Sequence, residues 1–213
     1  MKRKMLILCV LILGYACSSD DNTNPNEQPD NFYALTVGNT WEYVYYLKDN
    51  DTNTFLPTTI IETVNITETV EIDNNTYFNF KHVVTGNDGT YPYFPDNGER
   101  NYTLRDSLGF LIDEVGLIKY NNSDYNEYFM FNLDFDYSYH LALSNVMDNI
   151  TTNAGSFTCY DNHYYFKDFN GNIANALDHI YREDGIGEVL STMSFVTQSE
   201  HFIEKRLESY AIQ

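Results

Sequence analysis

The sequence predicts an all-β protein: one antiparallel domain over residues 32–213, a strongly curved sheet or open half-barrel of roughly ten strands joined by short turns. Three observations predict it. Apolar and aromatic side chains recur with period two, the alternation of a half-buried strand. Aromatics make up 16% of the chain, with 19 Tyr and 14 Phe, and with the many Thr, Val and Ile they suit a pleated surface. Asn, Asp and Gly cluster between the apolar runs, where turns need them. No period of self-similarity points to a propeller or solenoid.

The elements follow in order. Gly38-Asn39 is a turn, and Trp41, Tyr43 and Tyr45 then share one strand face. Residues 49–54 form a loop. Over 58–73, Ile60, Val64, Ile66, Val70 and Ile72 alternate with Thr59, Thr63, Asn65 and Glu71 in a long half-buried strand. Asp73-Asn74-Asn75-Thr76 signals a hairpin, and 77–85 returns. Gly86-Asn87-Asp88-Gly89 turns again, and Pro92 and Pro95 make 91–98 an edge or loop. Short strands are expected at 101–105, 110–114 and 117–120. The clearest alternation runs Phe129, Phe131, Leu133, Phe135, Tyr137, Tyr139, Leu141 and predicts one long strand, because a helix would scatter these rings around its axis. Asn153-Ala154-Gly155 turns into 156–167, and Asp168 to Asn172 turns again. Residues 173–181 read as strand, although Ile173, Ala176, Leu177 and Ile180 also fit a helical stripe. Strands at 188–197 and 201–212 complete the chain.

The N-terminus carries an address. Lys2, Arg3 and Lys4 precede the apolar run 5–13, which is shorter than the about 20 residues a spanning helix needs. Small residues and Cys17 follow. That is a signal-peptide layout, residues 1–16. The Cys directly after Ala16 resembles a bacterial lipobox, with Gly14 where its Leu usually stands and Tyr15 where a small residue usually stands. The resemblance implies that Cys17 is acylated and becomes the mature N-terminus. Residues 17–31 are then lipidated Cys and tether, since 18–30 holds no large apolar residue and cannot offset its ordering entropy. Acyl chains anchor at about 0.8 kcal/mol per buried methylene. Ser18-Ser19-Asp20-Asp21 resembles the acidic export signal of Bacteroidetes surface lipoproteins. It implies the outer face of the outer membrane, with the periplasmic face as alternative.

Composition excludes more than it assigns. Net charge is −19, and losing Lys2, Arg3 and Lys4 makes it more negative. Such a chain is a poor nucleic-acid ligand, and only acyl chains would hold it to an anionic membrane. With Cys9 in the signal and Cys17 lipidated, Cys159 has no disulfide partner and should be a buried thiol.

Leu35-Thr36-Val37-Gly38-Asn39-Thr40-Trp41-Glu42-Tyr43, Ala154-Gly155-Ser156-Phe157, and Ile180 to Val189 with Leu207-Glu208-Ser209-Tyr210 together resemble a family of secreted and lipid-anchored Bacteroidetes proteins of unknown function. The shared motifs are structural glycines and aromatics. The resemblance implies a half-barrel and carries no catalytic residue.

No constellation of catalytic residues, no cofactor site and no metal site is expected. Asp49-x-Asp51-x-Asn53 and Asp168-x-Asn170-Gly171-Asn172 have calcium-loop spacing but lack the later ligands, and read as turns. His82, His140, His163, His179 and His201 show no metal-ligand spacing and are expected isolated and exposed. Asp106-Ser107-Leu108 resembles a Bacteroidetes O-glycosylation sequon at Ser107. The expected role is a non-catalytic, membrane-anchored binding or interaction module at the cell surface, with a protein, glycan or lipid ligand. A periplasmic carrier of lipid or lipoprotein, using a concave face lined by Phe129, Phe131 and Phe135, is the alternative. A hydrolase built from distant carboxylates is the third possibility.

Overall fold

A computed structural model describes residues 31–90, 92–133, 136–195 and 198–213. The described residues form thirteen strands and no helix. They are β1 (Thr40–Asp49), β2 (Thr54–Ile72), β3 (Asn75–Thr85), β4 (Gly98–Ser107), β5 (Phe110–Asp113), β6 (Ile118–Asn121) and β7 (Glu127–Asn132). Then come β8 (Tyr137–Leu143), β9 (Asp148–Thr152), β10 (Gly155–Asp168), β11 (Ile173–Glu183), β12 (Gly187–Met193) and β13 (Ile203–Ala211). All pairings are antiparallel, in the order β6-β5-β4-β3-β2-β1-β13-β12-β11-β10-β8-β7, with β9 on β10. The expected all-β antiparallel class holds.

The topology is two meanders joined where β1 pairs with β13. Gln213 N–H donates to Asn39 Oδ1 at 2.8 Å across that join. The strands at the two ends of the order, β6 and β7, are close neighbours in sequence. A link that short reaches only about 20 Å even when extended. The sheet must therefore curl until its edges nearly meet. Bulges supply the bend: seven of the twelve strand pairings carry a register shift, and each shift adds local twist.

Side chains, not a backbone ladder, close the remaining seam. Asn121 N–H donates to Asn162 Oδ1 at 2.7 Å, and Asn162 Nδ2 donates back to Asn121 O at 2.8 Å. One amide side chain thus copies the exchange of a strand pair. Tyr120 Oη donates to Tyr160 O at 2.8 Å, and Tyr164 Oη donates to Lys119 O. Phe32 and Tyr33 wedge beside them, Phe32 lying 6.1 Å from the Tyr120 ring and 5.2 Å from that of Tyr160. Asn121 and Asn162 are fully buried, so these bonds are shielded from competing water.

Three expectations need correction. The single strand over 129–141 is two, β7 and β8, with a hairpin between them in which Leu133 N–H donates to Tyr137 O. The Asn and Asp residues that alternate with those rings, Asn132 and Asp136 among them, favour a turn. β9 lies where the sequence predicts no strand, and with the split it brings the count among the described residues to thirteen. Val70 lies outside the core, 39% exposed, because β2 slips register between Ile66 and Glu68 and the hairpin tip 67–76 is largely exposed. The expected strand at 173–181 is β11. Cys159 is a free, fully buried thiol.

Candidate functional site

The inner face of the curl lines an open cavity of about 390 Å³. That lies in the range of small-molecule sites. Its walls are largely aromatic and aliphatic: Trp41, Val64, Phe80, Leu104, Leu111, Tyr139 and Ile180. Lys119 of β6 and Met130 and Phe131 of β7 add lining from both edges of the sheet.

A row of charges crosses this apolar face. Glu62 lies opposite Tyr43, Lys205 opposite Tyr45 and Arg182 opposite Glu188, so the row spans five adjacent strands. Lys205 Nζ lies 2.8 Å from Glu188 Oε1 and 3.5 Å from Glu62 Oε2, and 4.7 Å above the Tyr43 ring. Tyr45 Oη donates to Glu62 Oε2 at 2.9 Å, and His82 Nδ1 meets Glu62 Oε1 at 2.7 Å. Tyr43 Oη donates to the Glu188 carbonyl at 3.0 Å.

Burial opposes the charge on Glu62, but the Lys205 ammonium and the hydrogen bonds from His82 and Tyr45 outweigh it and hold the carboxyl well below its usual range. Glu188 is likewise pushed up by burial, then held low by Lys205 and Arg182. Burial disfavours the charged Lys205, yet the two carboxylates raise its pKa well above normal. The three form a fixed, ionised clamp.

Arg182 is less well matched. Its Nη2 is 4.0 Å from Glu188 Oε2, and its Nε is buried with no hydrogen-bond partner among the described residues. The guanidinium lies over the rings of Tyr120 and Tyr33, at 5.3 and 5.9 Å. A buried donor without an acceptor costs about 1–3 kcal/mol. Arg182 is also a lining residue of the cavity.

The clamp left a trace in the sequence. Glu62 stands two residues from Ile60 and Val64, and Lys205 two residues from Ile203 and Leu207, all of them buried. A charge in the inward register of an apolar strand is the signal that marks the clamp in the sequence. Phe131 lines the cavity, as the carrier reading expected. Phe129 does not; it is 59% exposed, because β7 shifts register between Phe129 and Phe131 and so turns Met130 and Phe131 inward together. Phe135 lies outside the described residues.

The histidines are not isolated. His82 meets Glu62, His140 meets Glu127 at 3.2 Å, His163 and His179 share Asp161, and His201 meets Glu204. Three of these five pairings cross to a neighbouring strand, a relation that linear spacing does not show. The calcium-like stretches are turns: Asp49 Oδ1 accepts from Asp51 N–H, and Asp168 Oδ1 accepts from Asn170 and Asn172 N–H. Ser107 ends β4 at a hairpin turn whose Leu108 is 91% exposed. Cys17 and Ser18, Ser19, Asp20 and Asp21 lie outside the described residues.

No family model matches the sequence, and no curated protein matches it. Among solved structures, the fold is similar to a Bacteroides fragilis protein described as exported and as having a YmcC-like fold. The TM-score is 0.50 at 13% identity, over 85% of this chain and 99% of that one. A Parabacteroides distasonis protein described as a lipoprotein scores 0.49 at 13% identity, over 87% of this chain and 100% of that one.

Proposed function

We propose that this chain is an exported, lipid-anchored binding protein of the outer membrane, and that its site is the concave cavity. The ligand is a small amphipathic molecule with an apolar body and an acceptor-bearing end such as a carboxylate. The observation that carries the proposal is the open aromatic cavity with the under-paired guanidinium of Arg182 in its wall. The body of the ligand packs against Trp41, Phe80 and Leu111, and its acceptor takes the donors of Arg182. Non-catalytic binding fits the clamp, because Glu62 and Glu188 are both held ionised and neither is poised as a general acid at neutral pH. Acylation of Cys17 supplies the anchor, residues 18–31 the tether, and Ser18–Asp21 the export signal to the cell surface. The carrier alternative uses the same cavity from the periplasmic face; protease shaving of intact cells separates the two.

Trp41 is the sole tryptophan and lines the cavity, so its fluorescence reports occupancy. Titration of the detergent-solubilised protein with dodecanoate is expected to give a saturable change in emission. Arg182→Gln should weaken it about tenfold, the equivalent of one charge-assisted hydrogen bond. A titration with no saturable change, or one indifferent to Arg182→Gln in a folded variant, overturns the proposal.

A further inference from the structure

The opposite face of the same strands holds a second constellation. On β10, Tyr164 lines the cavity, so Asp161 and His163 point to the other side by alternation. On β11, Ile180 and Arg182 line the cavity, and His179 and Tyr181 point away. His163 and His179 are direct cross-strand partners, with ring centroids 5.0 Å apart. His163 Nε2 and His179 Nδ1 each lie 2.8 Å from the same oxygen, Asp161 Oδ2. The three ligand atoms lie within 4.8 Å of one another.

We propose that Asp161, His163 and His179 form a binding site for a divalent transition-metal ion of the zinc class. Two imidazoles and a carboxylate are donors that such ions prefer. Tetrahedral ligands at about 2.0–2.1 Å from an ion stand about 3.4 Å apart, so the two imidazoles need to move only about half an ångström from their 2.8 Å hydrogen bonds to Asp161 to seat one. A second observation also points to an ion. Asp161 is 2% exposed, yet its Oδ1 has no hydrogen-bond partner among the described residues. A buried carboxylate with one oxygen used twice and the other unused is poorly satisfied by the protein alone. A cation seated beside it takes up that charge. Tyr181 stacks on His179 with ring planes 1° apart and centroids at 5.4 Å, which fixes the orientation of that imidazole. The His163 and His179 side chains are 31% and 21% exposed, so an ion can enter from solvent. With three protein ligands, a coordination position is left for water or an outside ligand.

The test needs nothing from the cavity and stands apart from it. Full-length protein, stripped with chelator and dialysed against Zn²⁺, is measured by plasma mass spectrometry and titration calorimetry. One Zn²⁺ per chain is expected. Asp161→Asn and His179→Gln should each weaken binding about tenfold or more, while His82→Gln and His201→Gln should not change it. Circular dichroism checks that each variant folds. To keep the test independent of how the variants fold, paramagnetic Co²⁺ or Cu²⁺ is also added to the unaltered protein, and the histidine ring protons are followed by NMR. Broadening confined to two of the five histidines supports the site, with assignment from the single variants. Absence of stoichiometric Zn²⁺, broadening of all five histidines alike, or binding indifferent to Asp161→Asn and His179→Gln overturns it.

Discussion

Gly187 shows how one backbone position serves the cavity wall. Its φ is +109°, and a Cβ built there would lie 3.1 Å from Trp41 Nε1. That nitrogen donates to Ile186 O at 2.6 Å, next to the glycine. Gly187→Ala strains the backbone and presses on the indole at once. It should destabilise the protein by roughly 1–3 kcal/mol, read as a lower urea midpoint with a shifted Trp41 emission. Cys159 is a residue of the opposite kind. Burial, with the charges of Glu183, Asp148 and Asp161 behind it, pushes the thiol pKa up to about 12, so the reactive thiolate is scarce at neutral pH. Cys17→Ser should move the protein from membrane to soluble fraction. In that variant, once the signal is removed, a thiol reagent should label nothing in the folded protein and one site after unfolding.

At the level of elements, the seam decides whether the sheet holds its curl. β6 has only four residues, too few for a long ladder. Asn162 compensates by pairing with both backbone groups of Asn121. Asn162→Ala leaves a buried N–H and C=O unpaired, a loss of roughly 2–4 kcal/mol. Equilibrium unfolding should show it. Amide exchange should show faster opening at residues 118–121 than in β1 or β2, since the ladder of those central strands is untouched. The same logic explains the split of 129–141. A strand at an edge needs only one partner, so β7 gains more by folding back on β8 than by extending alone.

For the molecule as a whole, the clamp, which reaches from β2 across β1 and β13 to β12, ties the two meanders together through their shared interior. Its pH dependence follows from the sign of the shifts. Glu62 and Glu188 are held below the usual value of about 4.3, so folding favours their ionised forms. Their contribution is complete above about pH 4.3 and is lost as pH falls through the folded-state values. Glu62→Gln leaves Lys205 with one carboxylate, and should cost roughly 3 kcal/mol at pH 7 and measurably less at pH 3, part-way through the window in which the contribution fades. Denaturation midpoints of both proteins at the two pH values check this. A Glu62→Gln penalty equal at both would show that the charge on Glu62 is not what stabilises.

The sequence alone determined the all-β antiparallel class, most strand positions, the buried free thiol at Cys159 and the turns at Asp49–Asn53 and Asp168–Asn172. These are local properties: alternation, turn chemistry and burial of apolar side chains all act over a few residues. The closing seam, the inward charge row and the Asp161–His163–His179 cluster were decided only by tertiary structure. Asn121 and Asn162 lie about forty residues apart in the sequence and carry no mark of a pairing until the curl places them face to face. His163 and His179 read as unrelated until the register of β10 and β11 makes them partners. Cross-strand pairing depends on where every bulge falls, and a bulge is a balance between strands far apart in the chain. No local pattern in one strand carries that balance.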